Sequence, residues 1–292
     1  MPTFETPDRI TLNVEYNLGD IRVTAGDRKD TVVDVRPNDA GRAADVRAAE
    51  QTRIDFSNGM LFIKGSKDWK RFAILTGNGA VDVTVGLPSH SDVRWEAGMG
   101  KFDGEGNLGQ CDLKTGMGHI RLDRADAVKA ESGYGDVAVD LSAGDVDLKT
   151  GSGEIRVNRV GGSTQIRNSD GHIRLGDAVG EVHIKAANGN VHIGKAQSSV
   201  TAKSANGKIR VGEATRGSVV LETAYGDVGI GIPEGTAAWL DVSTKYGKVR
   251  NALAAAEGPG ESTESVEVRA RTSYGDVAIH RPGQPARPSR IQ

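Results

Sequence analysis

Glycine recurs at a nearly constant interval through the middle of this chain, each time followed by an x-φ-x-φ alternation in which φ is apolar. The clear anchors are Gly118, Gly135, Gly153, Gly171, Gly189, Gly207 and Gly226, spaced 17, 18, 18, 18, 18 and 19 residues apart. Looser copies sit at Gly19, Gly59, Gly79, Gly100, Gly247 and Gly275. Each clear anchor is followed by an apolar pair, such as Ile155/Val157 or Val191/Ile193. Another pair precedes it at minus seven and minus five, such as Val146/Leu148 or Val182/Ile184. Period-two alternation broken by Gly, Ser, Asn and Asp spells short half-buried strands. Two strands and two turns of fixed combined length place equivalent residues in stacked ladders. The repeat therefore predicts an all-β, single-chain β-solenoid, a parallel β-helix with coils of about 18 residues. Val160, Ala178, Ala196 and Ala214 fall where a third inward position is expected.

Composition adds limits. Aromatic residues are only 4% of the chain, so the core is expected to be thin and built from Val, Ile, Leu and Ala. Cys111 is the single cysteine, which excludes an internal disulfide framework and any multi-cysteine zinc site. No apolar run approaches the roughly 18 residues of a membrane span. Met1 to Tyr16 alternates polar and apolar residues without a signal-peptide core, so the cytoplasm is the expected compartment. One solenoid domain is expected over residues 1–280. Residues 36–52 read as an Ala-rich excursion containing one short helix, 251–263 as a loop between the last two coils, and 281–292 as a disordered tail. The excursion, the loop and the Trp69–Phe72 stretch are expected to cover the ends of the stack, which favours a monomer or small oligomer over a filament.

Several phrases are recognisable. Val83-x-Val85-Gly-Leu87-Pro88, the many Ser/Thr-Gly-x-Gly-Asp/Glu-φ-x-φ copies and the closing run from Thr272 to Ile279 resemble the bacterial DUF4097, or "putative adhesin", family of β-strand repeats. Ile232-Pro233 followed by Leu240 to Val249 is similar to that family's closing phrase. The resemblance extends from about Ile10 to Ile279. It implies a β-solenoid like that of bactofilins and other proteins carrying the adhesin label, with no agreed activity and no catalytic residues to transfer.

Candidate chemistry is sparse. The Gly-x-Gly pairs enter strands, whereas a phosphate loop opens a helix, so these glycines read as turn formers. A calcium β-roll needs repeated Asp; here the position after the second glycine holds Asp136, Asp227 and Asp276 but also His119, His172, Asn190 and Lys208. The solenoid keeps His119, His172, His183 and His192 too far apart, or on opposite strands, for a zinc site. Cys111 occupies an inward column and is expected to be buried and unreactive. The Tyr-Gly-Asp triplets at Tyr134, Tyr225 and Tyr274, with Tyr246 as a variant, are the recurrent aromatics. A ring covering its own turn is the plain reading, and carbohydrate or partner contact the functional one. No cofactor and no enzymatic activity are expected.

Charge is the remaining signal. Between Lys149 and Arg210 there are ten Lys and Arg against four Asp and Glu, while the rest of the chain carries a net charge of −8. Arg156, Arg174 and Arg210, with His192 between, occupy one outward column; Lys149, Arg167, Lys185 and Lys203 occupy another. These eight residues are the candidate contact for an anionic polymer, membrane surface or acidic protein. The segment has no Phe, Trp or Tyr, which argues against stacking on single-stranded nucleic acid. The expected function is a non-catalytic scaffold or interaction protein, able to self-associate; the alternative is an adhesin for a surface or envelope polymer.

Overall fold

A computed structural model of the chain describes residues 1–65, 79–253 and 264–282. The expected cover at Trp69–Phe72, most of the 251–263 loop and the tail from 283 lie outside the described residues. The fold is a β-solenoid, and the chain divides into two compact units, Met1–Gly153 and Glu154–Gln292.

In the second unit each coil contributes one strand before its anchor glycine and one after it. The pre-glycine ladder stacks Thr164–Asp170, Val182–Asn188, Val200–Asn206 and Gly217–Tyr225 in parallel register. The post-glycine ladder stacks Ile155–Val160, Ile173–Ala178, Val191–Ala196, Ile209–Ala214 and Val228–Gly231. Alternation carries every second side chain inward, so Thr164, Val182, Val200 and Val219 form one buried column and Ile155, Ile173, Val191, Ile209 and Val228 another. Val160, Ala178, Ala196 and Ala214 are buried as the third inward column.

The first unit uses the same ladders with two differences. Phe102–Met117 and Ile120–Tyr134 run unbroken through both ladders, bending at an irregularity between Leu122 and Arg124. No Gly or Pro punctuates 121–132, so the corner that is a turn elsewhere is here a bulged strand. The core is also less uniformly aliphatic than composition suggested: Trp95 and Phe102 are fully buried, with ring centroids 5.4 Å apart.

Coil order departs from chain order in both units. Thr11–Leu18 lies between Met60–Lys64 and Asp92–Met99, so the first coil of the sequence is the second in space. In the second unit Glu264–Tyr274 lies between Gly217–Tyr225 and Thr236–Tyr246, and Val277–His280 between Val228–Gly231 and Val249–Asn251. The outermost strands of the first unit are closed by antiparallel partners: Arg53–Ser57 on Met60–Lys64, Asp30–Pro37 on Val81–Pro88, and Thr3–Glu5 on Asp30–Pro37. The excursion contains the expected helix, Ala43–Gln51. Its buried Asp45 accepts backbone N–H bonds from Asp39 and Ala80, both at 3.1 Å, which pins the helix to the coil.

Stacking is tightest at the anchors. Gly189 has φ +122°, and a Cβ there would lie 2.1 Å from the carbonyl oxygen of Gly171; at Gly153, φ +147°, the Gly135 oxygen would be 2.3 Å away. Both the backbone conformation and the space exclude a side chain. The turn residue three positions before the anchor supplies a hydroxyl to that same crowded carbonyl. Thr150 donates to Gly135 at 3.2 Å, Thr223 to Gly207 at 3.0 Å and Thr272 to Gly226 at 2.9 Å. Gly153→Val and Gly189→Ala are each expected to lower unfolding free energy by roughly 2 kcal/mol or more, and Thr272→Val by about 1 kcal/mol. Unchanged melting of both glycine variants would refute the stacking described.

Candidate functional site

At six of the anchors the following residue is a staple between coils. Asp20 Oδ1 accepts from Lys101 N–H at 2.9 Å, His119 Nδ1 from Asp136 N–H at 3.1 Å, His172 Nδ1 from Asn190 N–H at 3.0 Å and Asn190 Oδ1 from Lys208 N–H at 2.9 Å. Asp227 takes the same role toward Asp276, and Asp276 toward Lys248. A position filled by Asp, His or Asn is thus chosen for an acceptor atom. That explains why His119 and His172 substitute for the Asp of a calcium-like pattern. His183 sits instead on the pre-glycine ladder, 3.8 Å from Glu181. Among the described residues, no group of three or more His, Cys, Asp or Glu converges as a metal site.

Cys111 is buried in the inward column aligned with Val93 and Val128, and burial, with Asp92 and Asp126 adding to it, pushes its thiol up to about 12. A thiol so shifted holds almost no thiolate near neutrality.

The tyrosines form a ladder of their own. Tyr225 stacks on Tyr274 with centroids 4.9 Å apart and planes 3° from parallel, and Tyr246 stacks on the other face of Tyr274 at 4.7 Å. The same column continues the other way as an amide ladder, Asn206 donating to Asn188 at 2.9 Å and Asn188 to Asp170 at 2.7 Å. Both faces of Tyr274 are occupied by neighbouring rings, leaving edges and hydroxyls outward. A sugar stacks on a ring face, so this arrangement does not offer one at Tyr274. The rings of Tyr225, Tyr274 and Tyr246 cover one another's faces.

Seven of the eight basic candidates lie on the two ladders of the second unit. Arg156, Arg174, His192 and Arg210 are in direct register on the post-glycine ladder of the second unit. Arg167, Lys185 and Lys203 are in register on the pre-glycine ladder, so the two columns face out from different ladders and do not merge. Lys149 belongs to the first unit, where its Nζ donates to Glu131 at 2.8 Å and holds that carboxyl below the usual range.

Neighbouring columns show how unusual the uniform ones are. In the first unit Arg94, Asp112 and Lys129 alternate in one column while Glu96, Lys114 and Glu131 alternate in opposite phase in the next. A hollow of about 230 Å³ over this checkerboard has walls whose charges cancel. In the second unit Arg159, Asp177, Lys195 and Glu213 alternate strictly, with ion pairs of 3.0 Å and 3.7 Å. The cationic columns instead have partners at their margins: Glu154 contacts Arg156 and Arg174 at 3.3 and 3.2 Å, and Glu222 contacts Lys203 at 2.7 Å. Between Arg174 and Arg210, His192 is pushed below its ordinary 6.5, first by desolvation and then by the two guanidiniums.

The family model described as Toastrack DUF4097 matches residues 8–282. Among curated proteins none matches the chain. Solved structures similar to it include a "putative adhesin" from Parabacteroides merdae, 10% identical, covering 95% of this chain and 94% of that one with a TM-score of 0.35. A "putative cell adhesion protein" from Clostridium sporogenes is 11% identical over 96% and 98%, with a TM-score of 0.21. A "putative lipid binding protein" from Parabacteroides distasonis is 11% identical over 96% and 95%, with a TM-score of 0.29.

Two measurements check these environments. Cys111 should resist thiol reagents at neutral pH in the folded protein and react fully once unfolded; rapid labelling of the native chain would contradict its burial. His192 should titrate below 6.5 by NMR, and Arg210→Gln should raise it. Because folding favours the neutral ring, its contribution to stability is present above 6.5 and is lost as pH falls through the depressed folded value.

Proposed function

We propose that this chain, which belongs to the Toastrack DUF4097 family, is a non-catalytic β-solenoid whose second unit presents cationic ladders to an anionic partner. The observation that carries the reading is the contrast between columns. Where the chain alternates charge, each ladder neutralises itself; where it repeats Arg156, Arg174, His192 and Arg210, the column holds no acidic residue of its own. Neighbouring cations such as Arg156 and Arg174, or Lys185 and Lys203, about 4.8 Å apart along a ladder, repel by roughly 1 kcal/mol per pair even in a water-like dielectric. An extended polyanion of acidic residues, sulfates or phosphates relieves that repulsion along the whole column.

Supporting the absence of catalysis, the perturbed groups are explained by structure: Asp227 is held low first by its bond from Lys208 and then by the staple to Asp276, and Cys111 is raised by burial. No described helix is long and apolar enough to cross a membrane, and the cytoplasm remains the proposed compartment. The alternative, an adhesin for a surface polymer, would take its sugar contact from the exposed tyrosines, of which Tyr274 has both faces covered by Tyr225 and Tyr246 while Tyr134 stands exposed.

The test is the triple variant Arg156→Glu, Arg174→Glu, Arg210→Glu. It should keep the parent's circular dichroism and lose salt-sensitive retention on immobilised heparin. Equal retention of parent and variant at low salt would reduce the ladders to ordinary surface.

A further inference from the structure

The arginine column of the second unit is compensated unevenly. Its first two members share an acid, since Glu154 contacts Arg156 at 3.3 Å and Arg174 at 3.2 Å. The other two, His192 and Arg210, make no hydrogen bond or ion pair among the described residues. Carboxylates of the neighbouring columns are already engaged: Asp177 with Arg159 at 3.0 Å, Glu213 with Lys195 at 3.7 Å and Asp227 with Lys208 at 2.9 Å. Asp227 also accepts the Asp276 N–H at 3.1 Å, and Arg210 lowers it less than Lys208 does. Beyond Arg210 the register continues with Gly229 and then Ala278. A Cβ on Gly229 would lie 3.8 Å from Cγ and Nε of Arg210, so the arginine passes over backbone that carries no side chain.

Arg174, His192 and Arg210 thus stand in file, each about one strand spacing, ~4.8 Å, from the next. A guanidinium offers an oxyanion a planar fork of donors. A neutral imidazole has one N–H to give, and the protonated ring has two and a charge. In the free protein desolvation, and then Arg210 and Arg174, oppose that charge. An anion seated among them removes the second cause. We propose that His192 and Arg210 form a subsite for one tetrahedral oxyanion of the sulfate or phosphate type, and that seating the anion draws a proton onto His192. The proposal rests on the polyanion reading above and gives it one fixed point of contact.

Two features favour this end of the column. To take an anion, Arg156 and Arg174 must release Glu154, whereas Arg210 has no acid to release. The groups around His192 also leave the imidazolium to the ligand. Across the ladder it meets Arg174 and Arg210; on its own strand Lys195 is neutralised by Glu213, and Asn190 is uncharged with its Oδ1 on the Lys208 N–H. On the next coil Lys208 is neutralised by Asp227. Linkage then fixes the sign. By whatever factor the anion raises the ring's affinity for a proton, the proton raises the protein's affinity for the anion. Binding is weaker where the ring is neutral in both states. It strengthens as pH falls through the higher, anion-bound value of His192, and the gain is complete below the depressed free value.

The experiment is an NMR titration of the full chain with sulfate at constant low ionic strength, repeated from about pH 5 to about pH 8, the range in which imidazole changes charge. Sulfate stays dianionic throughout, so a pH dependence of binding belongs to the protein. The His192 titration should move up by about one pH unit, with His119, His172 and His183 as internal controls, and sulfate should bind on the order of tenfold more tightly at the acid end. His192→Gln should keep the parent's high-pH affinity at every pH, and Arg210→Gln should lose the binding; the backbone spectrum of each reports that it is folded. A heparin-derived hexasaccharide separates the sources of the oxyanion. A His192 shift at far lower saccharide than sulfate concentration means a polymer-borne sulfate, and a shift at equal concentrations means a free oxyanion. A His192 titration that neither probe moves, or a His192→Gln variant with the parent's pH dependence, overturns the subsite. If the triple glutamate variant still loses heparin retention in that case, the polyanion reading stands without the subsite; if retention is unchanged as well, both fall.

Discussion

Everything in this protein hangs on how closely one coil can approach the next at the anchor glycine. With the Gly171 oxygen 2.1 Å from where a Gly189 Cβ would be, the backbones are in contact. That contact brings the flanking strands into ladder register. The hydroxyl of the −3 residue and the acceptor of the +1 residue then bind backbone groups of the neighbouring coil. Three functions are packed into five residues: steric permission, satisfaction of a crowded carbonyl, and a side-chain staple. The apolar columns contribute most of the burial, but they would tolerate slippage of small aliphatic residues; the glycine turn does not.

A ladder that repeats at a strand spacing magnifies whatever chemistry it carries. Repeated Asn becomes an amide chain, repeated Tyr a ring stack, and repeated charge a field. Alternating charges cancel at short range, as along Arg159, Asp177, Lys195 and Glu213. Exposed pairs of that type contribute at most about 1 kcal/mol each, so their value lies in leaving a neutral surface. The arginine column lacks that cancellation, and His192 within it is depressed first by desolvation and then by the guanidiniums of Arg210 and Arg174.

The staples show why residue type misleads when the geometry is unknown. Asp, His, Asn and Lys at one repeat position look like a degraded ligand set. In the structure Asp20, His119, His172, Asn190, Asp227 and Asp276 are interchangeable because each reaches an N–H of the next coil with one acceptor atom. The tyrosines teach the converse. Spacing places Tyr225 and Tyr274 in one column, but only the insertion of one coil beside another brings their rings face to face.

The sequence by itself determined the coil: its length, its inward columns, its turns and the burial of Cys111. These follow from local rules, since alternation and glycine position act within 18 residues and repeat. It also showed the helix in 36–52, where the alternation fails. Tertiary structure decided which coil stacks on which. Every coil presents the same apolar columns and the same turn, so periodicity cannot distinguish a neighbour in sequence from a neighbour in space. The chain therefore tucks Thr11–Leu18 between two strands that come later in sequence, and Glu264–Tyr274 between two that come earlier. That choice leaves Thr236–Tyr246 at an edge, because pairing between distant segments is set by the packing of whole coils rather than by any one of them.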